Sequence, residues 1–228
     1  MTGRRTAAAL LVAALAVAGC SDDDDAAPPA ADPLPELPAH TTPEAEAGDL
    51  EEPDVPGTTF APFPSLGFGI AIPAGWNATR LDDEAFERLE EADLAQPFFL
   101  EAARNVAATG AEFYAAGIDA EGRVAEIKVD LDDGAEPDLA AVRAAAEAEV
   151  LAAGGTDLNV VETEDGRVRL DFRLEQQAAD SGDPIDAYIS RVLVPDDDRL
   201  WSIVVTSEDA ATQTAVLEVV DAGFVLAD

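Results

Sequence analysis

The chain has 228 residues, with 13 basic and 48 acidic side chains, a formal charge of −35 and a single cysteine. A field this acidic repels phosphate backbones and anionic headgroups, which excludes nucleic acid as a partner. One cysteine makes no intramolecular disulfide, so stability must come from an apolar core, as it can once a domain reaches ~150 residues.

Arg4 and Arg5 precede an uncharged apolar run from Ala7 to Ala18. A bilayer takes ~20 apolar residues to span, so this run has the length of a signal-peptide core. It closes on Val17-Ala18-Gly19-Cys20, which resembles the lipobox of bacterial prolipoproteins. That resemblance implies cleavage before Cys20, diacylation of its thiol and acylation of the new amino terminus. The product would be held on the extracytoplasmic side of the cell membrane, since two or three acyl chains anchor stably. A plain secretory signal containing a cysteine is the competing reading. Loss of residues 1–19 removes two arginines and no acid, leaving 11 basic and 48 acidic residues and a charge of −37. With Cys20 acylated, no thiol remains for a disulfide or a thiolate metal site.

Residues 20–57 read as a tether. Asp22 to Asp25 open it, and Pro28, Pro29, Pro33, Pro35, Pro38, Pro43, Pro53 and Pro56 follow among Ala, Glu and Asp. Spaced prolines and like charges keep such a chain extended, and it has too few large apolar residues to fold alone. The four aspartates read as a solvated run rather than a cation site. His40, the sole histidine, falls in this segment and so outside any folded catalytic centre.

A single domain is expected over residues 58–228. Leu66 to Pro73 alternates Phe68, Ile70 and Ile72 with small residues, then turns through Pro73-Ala74-Gly75 into Trp76. Leu81 to Asp93 predicts a helix capped by Asp82 or Asp83, with Phe86 and Leu89 on one face. Pro97 suits the first turn of a second helix carrying Phe98, Phe99, Ala103 and Val106. Strands are expected at Glu112 to Ile118 and Arg123 to Val129, joined by Asp119-Ala120-Glu121-Gly122. Pro137 to about Ala153 predicts the longest helix, with Leu139, Val142, Ala146, Val150 and Ala153 as its buried stripe, stopped by Gly154-Gly155. Leu158 to Thr163 and Arg167 to Leu174 read as a hairpin about Glu164-Asp165-Gly166. In its second strand Val168, Leu170, Phe172 and Leu174 alternate with charged residues, so one face is core and the other wet. A further hairpin joins Asp186 to Val194 with Leu200 to Thr206 across Pro195-Asp196-Asp197-Asp198. Helix Asp209 to Asp221 and a short Phe224-Val225-Leu226 tail complete the chain.

Helices on both sides of consecutive hairpins imply an α+β layered sandwich around a mainly antiparallel sheet. The opening Gly67-Phe68-Gly69-Ile70-Ala71-Ile72-Pro73-Ala74-Gly75-Trp76 resembles the start of PsbP-like domains, including the LpqN-type lipoproteins of actinobacteria. The order of elements over about residues 58–228 is similar too. One lysine, Lys128, beside twelve arginines and abundant alanine fits a GC-rich, actinobacterial type of genome. The resemblance implies a fold and an accessory or binding role, and it brings no catalytic residues with it.

Residue chemistry argues the same way. The folded segment has no histidine or cysteine to serve as base or nucleophile, and no G-x-S-x-G, Walker A or H-E-x-x-H pattern. No enzymatic activity, resident metal or cofactor is therefore expected. Asp130-Leu131-Asp132-Asp133-Gly134 and Asp196-Asp197-Asp198 supply oxygens without a complete calcium loop, and read as turn chemistry. Arg167, Arg169 and Arg173 form a cationic stripe, with Arg191 expected on the next strand. The stripe is either a docking face or cross-strand pairing with Glu162, Glu164, Asp171 or Asp186. Trp76, Phe86, Phe98, Phe99, Phe113 and Tyr114 cluster in the first half. Phe98-Phe99-Leu100 either lines a groove or is pinned between two layers. The leading expectation is a membrane-tethered, non-enzymatic domain that binds an envelope protein, with Trp76, Phe98, Phe99 and the three arginines as candidate surface. The alternative is a carrier of a small apolar or lipid-like ligand, held between sheet and helices near Trp76 and Phe98. The carrier requires a sizeable enclosed apolar cavity; the binding domain requires a closed core and a flat exposed patch.

Overall fold

The computed structural model describes residues 50–91, 97–118, 122–133, 137–163, 165–177 and 184–227. The first strand, β1 (Thr58–Phe63), turns back into β2 (Phe68–Pro73), with Gly67 at φ +83° in the turn. Then come β3 (Asn77–Arg80), α1 (Asp83–Glu91), α2 (Pro97–Ala107), β4 (Phe113–Ile118), β5 (Val124–Asp133) and α3 (Leu139–Ala152). The chain continues through β6 (Thr156–Glu162), β7 (Val168–Gln177), β8 (Pro184–Asp196), β9 (Arg199–Ser207), α4 (Ala210–Gly223) and β10 (Phe224–Leu226). Among the described residues no helix is long and apolar enough to cross a membrane.

Two sheets form. The larger has seven strands in the order β3-β4-β5-β9-β8-β7-β6, and the smaller is β1-β2-β10. Every pairing among them is antiparallel. Side chains alternate between faces with a period of two, so each face of the larger sheet meets its own cover. On one face Phe113, Ile127, Val129, Val192, Ile203 and Val205 pack against Phe68 and Ile70 of the small sheet and Val216 and Val220 of α4. Rings interlock there: Phe68 lies 4.9 Å from Trp201 and 5.6 Å from Phe224, centroid to centroid. On the other face α3 lays Ala146 and Val150 over Val168, Leu170, Phe172 and Ile189, while α2 lays Phe99, Ala103 and Val106 over Tyr114 and Ala116. The result is an α+β layered sandwich, as the element pattern predicts.

Local signals operate where they were expected. Asp82 Oδ1 accepts the Ala85 N–H at 2.8 Å, capping α1 as expected; α3, expected to open at Pro137, starts at Leu139 with Asp138 as its cap through the Ala141 N–H at 3.2 Å. Past α3, Gly154 takes φ +84°, and the Gly155 N–H reaches back to the Val150 carbonyl at 2.9 Å. In β7 the expected apolar set Val168, Leu170, Phe172 and Leu174 is buried.

Several expectations need correction. Thr58–Phe63 was not anticipated as a strand; it forms because β2 offers it a partner, with Thr58 opposite Pro73 and Phe63 opposite Phe68. The Phe224 tail is the third strand of that sheet, opposite Ile70. Residues Asp130 to Asp133, read as a turn, continue β5 against Ser202 to Arg199 of β9. Aspartate is a poor strand former, but a ladder partner and the half-buried Leu131 on the aromatic core override that preference. Pro195 and Asp196 likewise belong to β8, so the hairpin turns on Asp197, at φ +47°, and Asp198. The α3 stripe stops at Val150, because Ala153 is already the exposed C-cap. The expected C-terminal end of the first helix at Asp93, the β4–β5 joint at Asp119 to Glu121, Gly134 and Glu164 lie outside the described residues.

Candidate functional site

The arginine stripe runs from Arg167, just before β7, along β7 on the face shared with α4. Arg167 Nε sits 2.8 Å from Asp165 Oδ2, and Arg169 Nε 3.1 Å from Asp171 Oδ2 with Asp221 at 3.8 Å. Arg173 stands between Asp157 at 3.4 Å and Asp186 at 3.3 Å. Each guanidinium is thus met by a carboxylate, two of them the expected Asp171 and Asp186. The arrangement is a lattice of alternating charge. Pairs this exposed typically contribute about 0.2–1 kcal/mol. Burial lifts the Asp221 carboxyl above its ordinary range, and Arg169 beside it partly opposes the shift. At Asp165 the Thr163 hydroxyl, then Arg167, pull the carboxyl below the usual range.

Arg191 does not extend this stripe. It faces the opposite side of the sheet, because it stands across from Leu170 in the ladder. There its Nη1 meets Glu149 Oε2 at 3.2 Å and its Nε donates to Ser202 Oγ at 2.9 Å, joining α3 to the sheet. On the stripe's own face, fully buried Ser190 donates to Asp171 Oδ1 at 2.5 Å and accepts from Gln213 of α4. This polar link locks α4 over β7 and β8.

The expected aromatic cluster is divided by the sheet. Trp76 is half-buried and lies flat on Gly117, at the border of the core that holds Phe113. Phe99, 1 % exposed, stacks on Tyr114 at 5.4 Å beneath α2, on the other face. Trp76 and Phe99 therefore do not line one pocket. The Phe98 side chain and Cys20 lie outside the described residues.

A second group of polar residues was missed by the sequence reading. Tyr114, 1 % exposed, donates its hydroxyl to Glu126 Oε1 at 2.5 Å. Along the same face of β5, Lys128 pairs with Asp130 at 3.1 Å, next to Thr206 and Val204 of β9. Burial raises the Glu126 carboxyl, the Tyr114 hydroxyl opposes that shift and Glu208 adds repulsion. Tyr114 itself is pushed well above the ordinary phenol range by burial and by the Glu126 charge. The signal lay in the alternation of Glu126, Lys128 and Asp130 with Ala125, Ile127 and Val129. Nothing in that alternation reveals which residue of β4 faces the glutamate.

Two recesses among the described residues are open to solvent. One, of about 550 Å³, lies between the first turns of α3 and the β6–β7 hairpin, lined by Leu139, Ala140, Arg143, Ala144, Glu147, Glu162 and Val168. The other, of about 340 Å³, lies between the β1–β2 and β8–β9 turns and includes Asp196, Asp197 and Asp198. Among the described residues no three His, Cys, Asp or Glu side chains converge to hold a metal ion.

No protein-family model matches the chain, and comparison with curated proteins finds no match. Among solved structures, the chain is similar to LpqN, described as involved in cell envelope biogenesis of Mycobacterium tuberculosis, at 13 % identity and a TM-score of 0.42. That alignment covers 77 % of this chain and 87 % of LpqN. It is also similar to cyanobacterial PsbP from Synechocystis sp. PCC 6803, at 12 % identity and a TM-score of 0.40, over 78 % of this chain and 98 % of the other. Neither similarity assigns a role to any residue.

Proposed function

We propose that this chain is a lipoprotein anchored through Cys20 on the outer side of the cell membrane, and that its α+β domain is a non-enzymatic module that docks an envelope protein. The observation that carries this reading is the filled interior. Both faces of the seven-stranded sheet are packed with side chains, and Trp201, Phe68, Ile127, Leu170 and Val150 are all 0 % exposed. A carrier of apolar molecules needs an enclosed apolar cavity of several hundred Å³; among the described residues the clusters between sheet and helices are filled by buried side chains, and the recesses found are open to solvent. What remains for recognition is surface.

Native mass spectrometry of the full protein, extracted gently from its host's membranes, tests the proposal. A stoichiometric protein partner is the expected result. A small apolar molecule that stays bound after the tether is removed, with no protein beside it, would replace the docking module with the carrier.

A further inference from the structure

We propose that the recess between α3 and the β6–β7 hairpin is the docking groove for a segment of the partner protein that sets a lysine or arginine beside an aliphatic side chain. The inference rests on the protein-docking reading and names the surface that serves it. Three observations converge on it.

The first is shape. Ala140 and Ala144 are exposed, stand one turn apart on α3 and face the hairpin across the recess. Residues four apart on a helix lie on one side, one above the other. Two methyl groups there leave about 550 Å³ open, where larger side chains would close it. The second is the floor: Val168 is 3 % exposed and Leu139 half-buried, so the bottom of the groove is aliphatic. The third is charge. Arg143 is already engaged, its Nε 2.7 Å from Glu147 Oε1. Glu162, exposed on the facing strand, makes no ion pair within 4.0 Å among the described residues; Arg143 feels its charge only after that of Glu147, so one guanidinium stands against two carboxylates. The groove therefore carries one surplus negative charge, on a chain whose net charge is −35.

These features select the occupant. An anion is repelled by Glu162 and finds Arg143 occupied. A metal ion or a polyamine satisfies the carboxylate but leaves the half-buried Leu139 and the Ala140 and Ala144 methyl groups wet. An extended protein segment with alternating basic and aliphatic residues meets both, its aliphatic side chain on the floor and its cation at Glu162. The acidic field of the whole domain steers such a segment inward.

The test uses the full lipidated chain in zwitterionic nanodiscs, with empty nanodiscs subtracted. The probe is a fluorescein-labelled peptide alternating leucine with lysine, and its control carries glutamate in place of lysine. The lysine peptide should bind and the glutamate peptide should not. Glu162→Gln should weaken binding by about fivefold or more, the effect of removing one charge partner. Ala144→Trp, a change at an exposed helix position that the fold tolerates, should abolish binding by filling the groove. Glu218→Gln, exposed on α4, should leave it unchanged and serves as the measure of bulk attraction. Equal binding by all three variants would mean bulk charge only and would overturn the proposal, as would no binding by the parent chain. Photo-crosslinking from position 140 in host cells separates the two readings. A partner protein that is retained by the Ala144→Trp chain refutes the groove and leaves protein docking standing.

Discussion

Replacing Tyr114 with phenylalanine isolates one hydrogen bond. The ring keeps its stacking on Phe99 at 5.4 Å and leaves almost no void, while the 2.5 Å bond to Glu126 is lost. A bond to a charged acceptor contributes ~1.5–3 kcal/mol, and Glu126 is half-buried, so water recovers part of the loss and the low end applies. At about 1.5 kcal/mol, a domain of this size should lose roughly 3–6 °C in Tm. The pH dependence is the sharper readout. Burial already raises the folded-state carboxyl of Glu126, and the tyrosine hydroxyl holds it down. A carboxyl that titrates higher in the folded than in the unfolded state binds its proton there alone over the window between the two values. Stability then falls as pH rises through that window. Without the hydroxyl the folded value climbs further, so Tyr114→Phe should cost little near the unfolded value of 4.5 and its full amount well above it. Calorimetric melts at about pH 4 and about pH 8 measure the difference directly. Glu126→Gln, which keeps an acceptor but no charge, should flatten the profile and gain stability at the higher pH. Equal losses for Tyr114→Phe at both pH values would refute the reasoning.

Three further outcomes are expected. Cys20→Ser should abolish acyl labelling and, once another peptidase removes the signal segment, release the protein from membranes; label that persists in this variant overturns the lipoprotein reading. Gly223→Ala places a methyl group against the backbone and Cβ of Ala71, which cannot move aside, and overpacking of that kind costs about 1–3 kcal/mol. Gly117→Ala meets first the ring of Trp76, a half-buried side chain that can swing outward, so it should cost less and shift tryptophan fluorescence. Asp209 caps α4 through the Thr212 N–H at 2.8 Å, and that bond holds its carboxyl below the ordinary value of 3.8. A depressed folded value stabilises above the unfolded one and is lost as pH falls through it. Asp209→Ala should therefore lower Tm at neutral pH and not in strong acid, and Asp209→Asn should preserve the cap.

What the sequence determined by itself is local. The period-two run of Val168, Leu170, Phe172 and Leu174 specifies a half-buried strand, because a strand turns alternate side chains to opposite faces whatever its partner. Asp82 marks a helix start and Gly154 a helix end, through bonds that span only a few residues. The α+β class follows from the alternation of such elements. Which face looks where is decided by pairing between distant segments. Phe99 and Phe113 lie close in sequence, yet the sheet puts them on opposite sides, and Trp76 follows Phe113. Arg169 and Arg191 stand on adjacent strands, and their places in the ladder send one to α4 and the other to α3. Asp130 to Asp133 become strand only because β9 is long enough to pair with them. The groove at Ala140 and Ala144 exists because α3 crosses the β6–β7 hairpin at that point. Each of these outcomes rests on contacts between residues far apart along the chain, whose partners a single sequence does not name.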